Sequence, residues 1–147
     1  MRKPGKKATV RIFLDANTMV SGLLFEGNEA LLLDLGLTRL CDLVSSDYVL
    51  EEVKRTLEKE EFNLTMDEQA FLLSYLHRSV RVYPSPSSEE VWKRYGILED
   101  KRDIPVVTSY EMLRCDFLAT GDIEILAKVK GGKRTKELLK MLLGASV

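Results

Sequence analysis

Four acidic residues, Asp15, Glu52, Asp103 and Asp122, each fall where an apolar run ends or a helical pattern begins. Carboxylates gathered within a few ångströms repel one another by roughly several kcal/mol unless a cation neutralises them. The remaining donors narrow which cation that is. The chain has one histidine, His77, and two cysteines, Cys41 and Cys115, far apart and outside any Cys-x-x-Cys pattern. Sites and mechanisms that need two histidines are excluded, and a disulfide framework has no basis. His77 lies in the helical pattern Thr65–Arg78 and reads as a partly exposed helix residue. An all-oxygen ligand set selects a hard ion, Mg2+ or Mn2+, over zinc. Such ions support phosphodiester hydrolysis with no histidine base.

Taken singly, the acids have ordinary explanations. Asp103 reads as a helix N-cap, Asp122 as a turn residue after Gly121, and Glu52 as one acid of a solvated helix face. Asp15 is different, because an acid directly after an apolar strand has little structural reason to be there. Glu52 must also be separated from Glu51. With Val49, Leu50, Val53 and Leu57 centring the apolar stripe, Glu52 lies roughly 115° from that centre and Glu51 roughly 145°. Glu52 is therefore nearer the buried margin.

The elements that would position these acids alternate. Val10–Leu14 reads as a buried strand ending at Asp15, followed by a short loop and a helix over Asn28–Leu35 with Gly36 as its C-cap. Leu40–Val44 is a second strand, and Ser45-Ser-Asp47 offers N-cap chemistry to the helix carrying Glu52. Thr65 and Glu68 form a capping box, Val80–Tyr83 alternates as a strand, and Pro84–Ser88 is a loop. Ser87 and Glu90 form a second capping box, opening a short helix through Trp92 and Tyr95. A helix from Asp103 to about Arg114 tolerates Pro105 in its first turn, Asp116–Thr120 is a strand, and Thr135 caps a final helix to Leu143. Alternating strands and helices predict an α/β fold with a parallel sheet, whose functional crevice lies beyond the carboxyl ends of the strands.

The 147 residues, 45% apolar and 31% charged, amount to one domain with a sustainable core, here read as residues 1–147 with a basic tail over 1–7. No apolar run reaches the length of a membrane span, and the basic N-terminus lacks a signal peptide's apolar stretch. The expectation is a cytoplasmic protein with no membrane partner. Net charge is −1, but the distribution is uneven: residues 1–11 carry five basic side chains and no acid, and residues 123–147 carry six basic and two acidic. An acidic body with basic ends suits a carboxylate site flanked by cations that hold an anionic substrate. Lys128, Lys130, Lys133, Arg134, Lys136 and Lys140 are the candidate phosphate contacts.

Four segments, in order, resemble the PIN-domain family of ribonucleases, which includes toxins of toxin–antitoxin pairs. Leu14-Asp-Ala-Asn-Thr-Met-Val-Ser-Gly22 is similar to the family's opening motif, and Ser45–Val53 to its second, with Glu52 in the acidic position. Asp100-Lys-Arg-Asp-Ile-Pro105 resembles the third, with Asp103 as principal acid and Asp100 as accessory, and Phe117–Asp122 the last. The resemblance spans about residues 10–143. It implies a three-layer α/β/α sandwich around a mostly parallel sheet, a divalent metal and endonucleolytic RNA cleavage. It further implies that Asp15, Asp103 and Asp122 bind the metal, that Glu52 assists directly or through water, and that Asn17 and Thr120 orient the carboxylates. A cognate antitoxin or a homodimer is implied by the family alone. The chain departs from the pattern at Ala16, where a hydroxyl is usual, at the bulky Ser109-Tyr-Glu111, and at Lys130–Thr135, which replaces an apolar strand.

Two other readings compete. A haloacid-dehalogenase-type phosphatase also begins with a strand and an Asp nucleophile, but its acid/base position is Asn17 here, which cannot transfer a proton. A non-catalytic PIN-like binding scaffold would be free to lose its acids, and this chain keeps all four.

Overall fold

The computed structural model describes residues 9–144. The basic tail over 1–7 lies outside the described residues. Apolar Ile12, Phe13 and Leu14 are fully buried in β1 (Arg11–Leu14), which forms the middle of a five-stranded sheet. β2 (Asp42–Ser46) and β3 (Arg81–Tyr83) lie on one side of β1, and β4 (Phe117–Ala119) and β5 (Gly132–Lys133) on the other. The order is β3-β2-β1-β4-β5, and every pairing is parallel. Each strand pair therefore needs a crossover, and eight α-helices flank the sheet among the described residues. The result is the expected α/β fold. No helix among the described residues is long and apolar enough to cross a membrane.

The chain moves outward from β1 to β3, then returns across the sheet to β4. The reversal leaves a crevice between the carboxyl ends of β1 and β4, the place where open α/β sheets bind ligands. Both strands end in the candidate motifs.

Several local expectations need correction. The segment after Asp15 is not a loop but α1 (Ala16–Leu24), with Asp15 as its N-cap: the Thr18 amide donates to Asp15 Oδ1 at 2.9 Å. Gly36 does not cap α2 (Asn28–Leu37) but lies inside it, buried where the helix crosses β2. A Cβ there would collide with the Leu43 side chain and stand 2.6 Å from the Ser79 carbonyl, so close packing rather than helix termination explains this glycine. Arg39, not Gly36, takes the left-handed backbone conformation after the helix.

The Thr65–Glu68 capping box is present and opens α4 (Met66–Ser79), where His77 is exposed. The second box is half formed. Ser87 caps α5 (Ser88–Lys93), but the Glu90 carboxylate turns to Lys93 and Arg94 instead of the cap backbone. An unanticipated helix, α7 (Ile123–Lys128), follows β4, capped by Asp122. The Lys130–Thr135 segment still pairs, as the two-residue β5 at the sheet edge, before α8 (Thr135–Leu143). Gly131 makes this approach possible: its φ is +92°, and the Tyr110 hydroxyl passes against it to donate to the Lys130 carbonyl at 2.8 Å.

Candidate active site

Asp15, Glu52, Asp103 and Asp122 line one small cleft of about 60 Å³, together with Asn17, Tyr48 and the apolar Val49, Val106 and Ile125. Each acid arrives by a different element. Asp15 terminates β1, Glu52 projects from α3 (Asp47–Leu57), and Asp103 precedes α6 (Ile104–Met112). Asp122 follows β4 and caps α7 through the Ile125 amide at 3.0 Å. Glu51, its neighbour Glu52's competitor, pairs instead with Lys54 at 3.6 Å.

Asp15 and Asp122 are joined by one hydroxyl. Thr120 Oγ1 donates to Asp15 Oδ2 at 2.6 Å and accepts the Asp122 amide at 3.0 Å. Thr120 is 2% exposed, so it holds both acids in a dry setting. Burial pushes the Asp15 carboxyl above its ordinary range, with the Thr120 and Thr18 hydrogen bonds opposing and nearby Asp122 adding to the rise. Thr18, which sequence reasoning passed over, also secures α1 to β4 by donating from Oγ1 to the Ala119 carbonyl at 3.3 Å.

Asp103 has no such support. It occupies the N-cap position of α6, yet its side chain makes no capping bond, so the N-cap explanation of this residue fails. Burial, then repulsion from Asp100, Asp122, Asp15 and Glu52, raises its pKa to about 6. A half-buried carboxylate pushed up by four acids favours any cation that reaches it. Asp100 does not line the small cleft but shares the adjoining basin with Glu52, Asp103 and Asp122, where Arg102 holds it through Nε at 3.1 Å and a second nitrogen at 3.0 Å, which lowers its pKa.

The donor set around the cleft is wholly oxygen, which suits a hard divalent ion. Among the described residues, no group of three or more His, Cys, Asp or Glu side chains converges tightly enough to hold an ion as it stands. The fit lies in the chemistry of the donors and not in a preformed cage. The cysteines offer no alternative chemistry, since burial pushes the Cys41 thiol up to about 11 and Cys115 up to about 12.

Two larger basins flank the acids. One, of about 640 Å³, is lined by Glu52, Asp103 and Asp122 and by the cationic Arg55, Lys59 and Arg102. The other, of about 330 Å³, is bounded by Thr120, Gly121, Arg134 and Lys136. Asn17 lies on the wall common to both basins and the acid cleft. Of the candidate phosphate contacts in the last quarter of the chain, Arg134 and Lys136 reach a basin. Lys128 is paired with Glu124 at 2.8 Å, Lys133 lies 3.9 Å from Glu137, and neither they nor Lys130 lines the cleft or its basins. Arg55 and Lys59 were missed, although Arg55 stands one helical turn beyond Glu52 on α3 and Lys59 lies two residues past the helix's last residue.

No curated protein matches the sequence. Among solved structures, the chain is similar to PAE2754 from Pyrobaculum aerophilum, with 22% identity, a TM-score of 0.68, and 92% of this chain and 97% of that one covered. It is also similar to VapC20 of Mycobacterium tuberculosis, described as a sarcin–ricin-loop-cleaving toxin. That match has 17% identity, a TM-score of 0.56, and covers 79% of this chain and 93% of the other. At these identities the likeness shows the fold. The sequence model of the PIN domain matches residues 11–124, from the first residue of β1 to just beyond Asp122. That span takes in all four acids and the crevice that gathers them, and the chain belongs to the PIN domain family.

Proposed function

We propose that the protein is a divalent-cation-dependent endoribonuclease, built from residues 1–147 as one nuclease domain. The observation that carries this reading is the meeting of Asp15, Glu52, Asp103 and Asp122 in one cleft at the crevice between β1 and β4. Asp15, Asp103 and Asp122 would hold Mg2+ or Mn2+, with Glu52 assisting from α3. When bound, the ion supplies charge neutralisation and Lewis acidity towards a phosphodiester. Thr120 keeps Asp15 and Asp122 oriented, Asn17 lies on the cleft wall, and Asp100 sets Arg102 at the rim. The cations of the two basins, Arg55, Lys59 and Arg102 on one side and Arg134 and Lys136 on the other, give a backbone a path across the acids.

The description of VapC20 as a sarcin–ricin-loop-cleaving toxin supports RNA as substrate and a toxin role; the reading extends to a cognate antitoxin as partner and to the cytoplasm as its place of action. The test is incubation of the purified protein with mixed single-stranded RNA and Mn2+, beside EDTA and Asp103→Asn controls. Cleavage abolished in both controls is the expected result. Absence of cleavage together with absence of Mn2+ binding by calorimetry would instead leave a PIN-like binding scaffold.

A further inference from the structure

Beside the acid cleft lies a second pocket of different character. Its volume is about 260 Å³, and its walls include Tyr48, Pro86, Val91, Trp92 and Pro105. Tyr48 is common to this pocket and the acid cleft, and Pro105 stands two residues after Asp103 on α6. The pocket therefore adjoins the acid cleft across Tyr48. Trp92 is 71% exposed, a large apolar surface left to water on a helix of only six residues. A helix that short does not hold its shape alone. Arg94 fixes it: its Nε meets Glu111 of α6 at 2.6 Å, and a second nitrogen meets the Glu90 carbonyl and carboxylate at 3.0 and 3.1 Å. The exposed indole is thus held at a set distance from the helix that begins beside Asp103.

The surroundings of Trp92 define what it could receive. Tyr95 packs on it with ring centroids 4.8 Å apart, and the Lys101 ammonium lies 5.0 Å from the Tyr95 centroid. Proline rings and an indole offer flat apolar faces, and Ser85 and Ser88 add hydroxyls; positive charge stands nearby, with Arg102 lining the basin that shares Tyr48 with this pocket and Lys101 over the Tyr95 ring that packs on Trp92. Flat apolar walls with hydroxyls among them, and cations on the neighbouring surface, match a nucleobase attached to a phosphate backbone.

We infer that this pocket takes an unpaired nucleobase, stacked on Trp92, from the RNA strand whose neighbouring phosphodiester lies among the acids; this rests on the nuclease reading. The pocket makes the substrate a single strand, because a base in a duplex is already stacked and paired. It also gives the enzyme a means of choosing where along a strand it cuts.

Trp92 is the chain's one tryptophan, so its fluorescence reports on the pocket alone. The probe is a labelled mixed-sequence octaribonucleotide, bound without cleavage by full-length Asp103→Asn protein. The controls are the same ribose-phosphate chain without bases and the same sequence as a duplex. Label anisotropy measures binding wherever it occurs, and tryptophan emission measures occupancy of the pocket. The expected results are quenching by the single strand, none by the base-free chain or the duplex, and an affinity loss of about 5- to 150-fold for Trp92→Ala. Trp92→Phe should stay within about threefold, because a phenyl ring still stacks. Anisotropy that rises with emission unchanged, or equal quenching by the duplex, would overturn the pocket assignment while leaving the nuclease reading in place. No anisotropy change with any RNA would overturn both.

Discussion

At the scale of single residues, Asp103 carries the clearest pH signature. Its pKa of about 6 in the folded chain stands above the ordinary 3.8. The folded protein therefore binds a proton between about pH 4 and 6 that the unfolded chain has released, and metal-free stability falls as pH rises through that window. Asp103→Asn removes the repulsion. In EDTA at pH 7.5 it should raise Tm by about 3–5 °C, after allowance for partial solvent screening, and leave Tm unchanged near pH 4. A lower Tm at pH 7.5 would show that this carboxylate is structurally required. Thr120 permits a different test. Thr120→Val keeps the shape but leaves Asp15 Oδ2 without its donor, with only the Thr18 amide on Oδ1 remaining, and the Asp122 amide without its acceptor. Mn2+ affinity or kcat should fall about 10- to 100-fold, while KM for RNA changes little. An unchanged kcat and Mn2+ titration would remove Thr120 from the machinery.

At the scale of elements, the acids were legible in the sequence, but the helices that two of them begin were not. Asp15 and Asp122 each have an amide donor three residues on, at Thr18 and Ile125. Both therefore serve as caps while facing the cleft. α1 escaped notice because Ala16, Thr18, Met19 and Val20 are all buried, so no amphipathic stripe marks it. α7 is only six residues long, too short for a clear period. Gly36 was misread for a related reason: a glycine near the end of a helical pattern reads as a terminator, and nothing local shows that the chain turns back to press Leu43 of β2 and Ser79 of α4 against it. Gly36→Ala should accordingly destabilise the protein by about 1–3 kcal/mol in urea unfolding, despite alanine's higher helix propensity. A stabilised variant would mean that the α2–β2 contact is looser than described.

At the scale of the whole molecule, the charge pattern is a division of labour. The sequence showed that the two termini are basic and the body acidic, yet not which cations face the acids, because that depends on how α3 and the loop over residues 99–103 fold beside β1. Arg55 and Lys59 come from the acidic body, whereas Lys128 of the basic end is tied to Glu124, whose carboxylate also receives the Glu99 amide at 2.8 Å. Neutralising Arg55, Lys59 and Arg134 together should lower the log–log salt slope of RNA binding by about 2, at about 0.7 per contact on a single strand. Lys128→Gln should leave that slope as it was. The reverse ranking would place the RNA path along the Lys128–Lys133 side.

The bond from Thr120 to Asp15 joins residues 105 positions apart, across the reversal that brings β4 beside β1. During synthesis, β1, β2 and β3 can associate as soon as residues 11–83 have emerged, but Asp15 then has neither Thr120 nor Asp122 for company. Competence is thus acquired late, when β4 docks. Until β4 has emerged, a growing chain holds only part of its acid cluster. The order of the strands delays assembly of the acid cluster until β4 pairs with β1.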